Sequence, residues 1–190
     1  AVYGLPNVKL VQLEGNTLPF PDAEFDLIVS NLTLNNFEDA PATLKECARV
    51  TKPDGRIAMT TNLKGHMIEF YAVYGGVLSD FGKPDYLIRM AANEAHRGTR
   101  ESHIETVTNA GFHIHKIVED PFTLRFLDGS ALLRHSLIRF GFLQGWRRVL
   151  NHADERTIFS TLEARLNALA QMEGDLRMTI PMLYLEAVKG

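Results

Sequence analysis

The hydrophobic pattern of the first sixty residues switches between strand and helix periods. Apolar and polar residues alternate from Val8 to Leu13, which predicts a strand. Phe25 to Val29 is an apolar run broken only by Asp26, typical of a strand buried on both faces of a parallel sheet. Asp39 can cap a helix that has Pro41 in its first turn, and Ile57 to Thr60 predicts the next strand. This strand–helix–strand order indicates a right-handed parallel crossover in an α/β fold.

The rest of the chain is more helical, and Gly75-Gly76 interrupts its first apolar stripe. The predicted elements are a helical stripe from Met67 to Phe81, helices near Pro84–Ala95, Thr99–Ala110, Ser130–Phe140 and Asp154–Met172, and strands at Phe112–Val118 and Met182–Val188. Parallel order places the carboxyl ends of the first two strands, near Glu14 and Ser30-Asn31, at one edge of the sheet. Ligands of open α/β sheets bind outside that edge.

Composition narrows the class of partner. The net charge of −3 argues against a nucleic-acid partner, because such binding depends on neutralising phosphates with Lys and Arg. The single cysteine, Cys47, excludes an internal disulfide and fits a reducing cytoplasm. No window approaches the run of about 20 apolar residues that spans a bilayer. We therefore expect a cytoplasmic protein with no membrane partner. His113 and His115 share a strand face without a third ligand, so no metal site is predicted.

Three stretches carry a family resemblance through their order and spacing. They are Leu18 to Asp26 (LPFPDAEFD), Leu27 to Asn31 followed by Leu34 to Asp39 (LIVSN and LNNFED), and Glu46 to Arg56 (ECARVTKPDGR). Together they resemble the class I S-adenosylmethionine-dependent methyltransferases of the ubiquinone/biotin-biosynthesis-like small-molecule group. The similarity extends, with less specific motifs, to Asn109–Phe112 and Tyr184–Lys189.

The resemblance implies a Rossmann-like sheet with strand order 3-2-1-4-5-7-6, in which the last strand is antiparallel. On that template the predicted strands are the family's strands 3, 4, 5, 6 and 7. Strands 1 and 2 have no counterpart, and no G-x-G triplet of the family's cofactor loop occurs. We therefore expect residues 1–190 to be the C-terminal portion of a methyltransferase domain. The stretches 65–97 and 127–177 are expected to be helical insertions on the substrate side.

The resemblance also implies S-adenosylmethionine as the cofactor and methyl transfer to a small-molecule acceptor. It assigns Glu14 and Gly15 to the adenine, and Ser30, Asn31 and Leu32 to the methionine end and the reacting methyl. The residues alone leave alternatives open. Glu14 is equally a solvated glutamate at a strand end, and Ser30 and Asn31 are equally a capped strand end.

Four residues are candidates for substrate binding. Asn35 and Asn36 lie where relatives often carry histidine, and they could hydrogen-bond a substrate or cap a turn. Tyr71 and Tyr74 follow the family's fifth strand, although their place in an apolar stripe favours core packing. His66 is the candidate catalytic residue, as a general base whose ordinary pKa lies near neutrality. In-line methyl transfer depends mainly on positioning, so no larger catalytic constellation is required.

A different class of function stays open, because the chain lacks the glycine-rich cofactor loop. It is a non-catalytic binding or dimerisation module. Without the family's first strand, Phe25–Val29 would be an exposed apolar edge strand, and such edges pair readily with other strands. We therefore expect either residues 8–13 beside it or a homodimer contact there. Glu46 and Arg49 are expected to form a scaffold ion pair.

Overall fold

The computed structural model describes residues 6–13 and 17–190, in which a mixed sheet and a helical region each have a core. The strands are β1 (Phe25–Asn31), β2 (Thr51–Asn62), β3 (Phe112–Glu119), β4 (Phe122–Phe126), β5 (Leu176–Ile180) and β6 (Met182–Lys189). The helices are α1 (Ala40–Val50), α2 (Ile68–Phe81), α3 (Pro84–Glu94), α4 (Arg100–Asn109), α5 (Gly129–Arg134), α6 (Ser136–Gly141), α7 (Leu143–Arg148) and α8 (His152–Glu173). A short 3₁₀ turn occupies Leu34–Asn36.

The main sheet has the order β1-β2-β6-β3. β1 and β2 are parallel, with Val29 opposite Ala58, whereas β6 runs antiparallel to both of its neighbours. One face of the sheet packs on α1 and α4 through a core that includes Leu44, Ile57 and Val107. The predicted parallel crossover is therefore present, and it brings the carboxyl ends of β1 and β2 to the same edge of the sheet.

The crossover helix begins as its sequence predicts. The Asp39 carboxylate accepts a hydrogen bond from the Ala42 N–H at 2.9 Å, and a proline lies in the first turn. Pro53-Asp54-Gly55 lies inside β2, which begins at Thr51, earlier than the strand predicted from Ile57. Phe25 is opposite Thr51 but Leu27 is opposite Arg56, so β2 bulges there, and Asp54 has a left-handed φ of 61°.

The expected scaffold pair fixes the Leu18–Asp22 loop to α1. The Arg49 guanidinium donates to Glu46 at 2.8 Å, to the Leu18 and Phe20 carbonyls at 2.9 Å each, and pairs with Asp22 at 2.7 Å. Glu46 also accepts the Leu18 N–H at 3.0 Å. The Arg49 hydrogen bond, followed by the Leu18 N–H, lowers the pKa of the Glu46 carboxyl to about 2. Charge-assisted hydrogen bonds from Arg49 and Glu46 therefore hold the Leu18–Asp22 loop against α1, which explains the loop motif.

The helical region differs from prediction in three places, the first of which is α7, a helix that was not predicted. The single helix expected at Ser130–Phe140 is divided into α5 and α6 at His135, whose ψ of 135° is extended. The pair β4 and β5 was not predicted; Leu124 is opposite Met178 in this antiparallel pairing. The glycine pair Gly75-Gly76, which interrupts the apolar stripe in the sequence, does not interrupt α2.

None of the helices in the described part of the chain has the length and apolar content that a bilayer crossing requires.

The strand predicted at Val8–Leu13 is wrong. Residues 8–13 form no strand, and their side chains are exposed. Alternation alone does not make a strand, because the backbone groups need a neighbouring strand to pair with. Within the described residues nothing pairs with the outer edge of β1, where Leu27 and Val29 are 55% and 68% exposed. The expected intramolecular pairing is therefore contradicted, whereas contact with a second copy stays a prediction.

Candidate functional site

The ends of β1 and β2 are joined where the chain leaves the sheet. The Thr60 hydroxyl donates to the Asn31 side chain, and the Leu32 N–H donates to the Thr60 carbonyl at 3.0 Å. Leu32 has a left-handed φ of 57°, which turns the chain away from the strand direction into the 3₁₀ turn. A leucine rarely adopts this conformation, and such strained positions cluster at ligand sites.

A cavity of about 220 Å³ opens at this edge between the sheet and the helices. Four of the predicted ligand residues, Leu32, Asn35, Asn36 and Tyr71, line it together. The remaining lining residues are Asn62, Asn93, His96, Arg97, Leu137, Gly141, Phe142, Gly145 and Trp146. The loop after β1, the end of β2 and both helical stretches therefore contribute to one concave site, at the position where open α/β sheets bind ligands.

The polar groups of this cavity are oriented by hydrogen bonds. The Asn35 amide donates to the Asn62 carbonyl at 2.7 Å, and the Asn36 amide donates to the Leu32 carbonyl at 3.2 Å. No hydrogen bond to another described residue uses the Oδ1 of either asparagine. The Tyr71 hydroxyl accepts from the Trp146 indole N–H at 3.1 Å, which leaves its own O–H able to donate. These three side chains thus offer two acceptors and one donor to a ligand.

The other predicted residues do not line this cavity. Ser30 is bonded to the Thr33 hydroxyl at 2.5 Å, and Asn31 is exposed beside it. Tyr74 is completely buried, and its hydroxyl donates to the Trp146 carbonyl at 2.9 Å, which is the core-packing role that its stripe favours. Glu14 and Gly15 lie outside the described residues. The ligand roles of these five residues stay predictions.

His66 lies under the helices with its ring stacked on Phe142, the ring centroids 5.2 Å apart. Both ring nitrogens are buried and have no hydrogen-bond partner in the described part of the chain. Burial, and secondarily the charge of Arg97, lowers the pKa of His66 to about 4. His66 borders a second cavity, of about 560 Å³, but both of its ring nitrogens are buried. This geometry does not bring a basic nitrogen to a ligand, and its role as a general base stays a prediction.

Sequence reasoning missed His96 and Arg97, which follow α3 in a connection without a recognisable motif. The His96 Nδ1 lies 2.5 Å from the Asn93 carbonyl. A carbonyl only accepts, so we assign the ring proton to Nδ1, and Nε2 is then free to accept a proton. Partial burial, followed by the charge of Arg97, lowers the pKa of His96 and favours its neutral form. Arg97 is buried and lines both cavities.

Comparison with known proteins finds similarity to methyltransferases. A family model described as a methyltransferase domain matches residues 2–59. Demethylmenaquinone methyltransferase from Corynebacterium efficiens is 47% identical over 53 residues, which span 28% of this chain and 23% of that protein. The protein of the same description from Geobacillus stearothermophilus is 38% identical over 84 residues, 42% of this chain and 36% of that protein. The matches thus cover well under half of these relatives.

The fold has a counterpart among solved structures. A candidate methyltransferase from Bacillus halodurans superposes with a TM-score of 0.54 at 13% identity, covering 96% of this chain and 78% of that one. This likeness defines the class as a Rossmann-like α/β fold, which confirms the fold class predicted from sequence. The sequence matches show that part of the chain, including residues 2–59, is similar to methyltransferases, in agreement with the resemblance of its motifs to the class I S-adenosylmethionine-dependent family.

Proposed function

We propose that the chain takes part in S-adenosylmethionine-dependent methyl transfer to a small-molecule acceptor in the cytoplasm. One observation carries the proposal. The loop after β1, where the resemblance places the reacting methyl, shares a cavity with Asn35, Asn36 and Tyr71, which are the predicted acceptor-side residues. The stretches 65–97 and 127–177 supply the acceptor side of this cavity, as members of one methyltransferase domain.

The lining residues fit the chemistry of this cofactor. When bound, S-adenosylmethionine supplies an activated methyl group on a sulfonium cation. The rings of Tyr71, Phe142 and Trp146 and the amide oxygens of Asn35 and Asn36 give part of the lining an electron-rich character suited to the sulfonium, whereas Arg97 gives the same lining one positive charge. The same amide oxygens and the Tyr71 hydroxyl hold the acceptor in line, while the aromatic wall excludes water.

Titration calorimetry with S-adenosylmethionine tests the proposal. We expect binding heat from a version of the chain extended at its N-terminus, because residues 1–190 contain no glycine-rich cofactor loop. Leu32→Arg in that version should bind at least tenfold more weakly, because a long charged side chain would fill the cavity. Leu127→Arg is the matched control, since Leu127 is 77% exposed and does not line this cavity. Absence of binding both by this chain and by a version extended at its N-terminus would remove the methyltransferase proposal. Binding only by the extended version would favour the interpretation of residues 1–190 as the C-terminal portion of a methyltransferase domain.

The second candidate, a dimerisation module, is favoured by the open edge of β1. Pairing of this edge with a second copy predicts a concentration-dependent dimer in sedimentation velocity. Val29→Lys should shift the population to monomer, because an edge lysine opposes strand pairing. Val118→Lys on β3, which is also an edge strand, is the control and should leave the dimer intact. A chain that stays monomeric at every concentration excludes this candidate.

A further inference from the structure

Arg97 is a buried cation whose guanidinium has no hydrogen-bonded partner among the described residues. The residue is 8% exposed, and although its charge acts on the nearby Glu94, its side chain forms no hydrogen bond or ion pair within the described ranges. Burying a charge is unfavourable unless it is paired or hydrogen-bonded. A guanidinium presents its N–H donors in a fork that matches a carboxylate. Because Arg97 lines two cavities, a ligand in either one could supply the missing acceptors.

The smaller cavity is the better place for an anion. The 560 Å³ cavity contains Glu94, whose carboxylate would repel an anion, together with Lys64. No acidic residue lines the 220 Å³ cavity, where the amides, the tyrosine and the neutral form of His96 surround Arg97 as the one permanent charge. Because Arg97 is the single charged group among otherwise neutral lining residues, a ligand with one negative charge complements this cavity.

Size and lining restrict that ligand further. A volume of 220 Å³ corresponds to about seven water molecules. The rings of Tyr71, Phe142 and Trp146 suit a flat apolar body, and the Asn35 and Asn36 oxygens can accept from a hydroxyl or amine on it. His66 borders Arg97 in its neutral form, so it adds no second positive charge that would favour a phosphate dianion.

We propose that Arg97 binds the carboxylate of the acceptor, and that the acceptor is therefore a small organic monocarboxylic acid. This inference rests on the proposed function, since it names the substrate class of that reaction. The binding itself needs no cofactor and is measurable separately from methyl transfer.

Trp146 is the chain's single tryptophan and lines the cavity, so its fluorescence reports occupancy. The probes are benzoate and benzamide, which have nearly the same shape but differ in charge. We expect benzoate to bind at least tenfold more tightly than benzamide. Arg97→Gln should abolish that difference, whereas Arg148→Gln, at an exposed arginine outside the cavity, should preserve it. Equal binding of the two probes, or no binding of benzoate, would overturn the proposal, as would a preference retained in Arg97→Gln.

Further variants and ligands distinguish carboxylate binding by Arg97 from the alternatives. Arg97→Lys keeps the charge and should keep a reduced preference for benzoate, so it replaces Arg97→Gln if that variant does not fold; if neither folds, the wild-type comparison decides. Tighter binding of inorganic phosphate than of benzoate overturns the carboxylate assignment.

S-adenosylhomocysteine also carries a carboxylate. Its affinity should be equal in the wild type and Arg97→Gln, and a tenfold loss would reassign Arg97 to the cofactor. Benzoate binding, with no cofactor binding by this chain or by its extended version, would leave the carboxylate site at Arg97 standing and remove the proposed function.

Discussion

Replacing Trp146 by alanine is expected to lower the free energy of unfolding by about 3–5 kcal/mol, the range for truncating a large buried aromatic. The side chain is 1% exposed, and its ring is stacked on Phe70 at 3.9 Å between centroids. It also gives the Tyr71 hydroxyl a donor. Because α7 meets α2 through this residue, the truncation leaves a void between the two helices that the backbone cannot close. Urea unfolding followed by far-ultraviolet circular dichroism measures the loss.

Two variants separate packing from hydrogen bonding. Trp146→Phe keeps an aromatic ring against Phe70 but removes the N–H, so we expect a smaller loss than for alanine, with about 1 kcal/mol of it from the lost hydrogen bond. Leu127→Ala, at an exposed leucine, should change stability by no more than about 0.5 kcal/mol. A Trp146→Ala protein within 1 kcal/mol of the wild type would show that α7 is not anchored through this ring.

The elements that could be predicted from sequence are those whose signals are local. Asp39 and Pro41 mark the start of α1 within one turn, and Gly111 follows the end of α4 where a helix stop was expected. The pairing of β4 with β5 joins segments some fifty residues apart, and neither short strand identifies its partner. Residues 8–13 show the opposite error, a strand that was predicted but is not formed. Their alternation is local, but a strand also requires a neighbour, and no described residue supplies one.

The candidate site was predictable to the extent that a motif marks it. Leu32, Asn35 and Asn36 follow a recognisable strand end, and they do line the cavity. His96 and Arg97 carry no such signal, because an arginine in a connection after a helix is usually solvated. Its burial results from the packing of α2, α3 and α7 around the end of β2. The burial of Arg97 is a property of the tertiary structure, and no local sequence pattern indicates it.

The buried imidazole of His66 should make the protein sensitive to acid. Its pKa is lowered from 6.5 to about 4, first by burial and then by Arg97, so the unfolded chain takes up a proton at a pH where the folded chain does not. The unfolded state is therefore favoured progressively as pH falls from 6.5 to 4, by an amount approaching about 3 kcal/mol. Above pH 7 both states are neutral at this residue, and the contribution vanishes.

His66→Phe tests this mechanism because it keeps a ring against Phe142 and removes the titrating group. Its stability relative to the wild type should rise as pH falls from 6.5 to 4, then stay constant at lower pH, in urea titrations at each pH. Burial also lowers the pKa of His103, but that residue is present in both proteins and its contribution cancels in the difference. His115→Gln, at an exposed histidine, should follow the wild type throughout. Parallel curves for His66→Phe and the wild type between pH 7 and 4 would mean that His66 gains its proton as easily in the folded protein as in the unfolded chain.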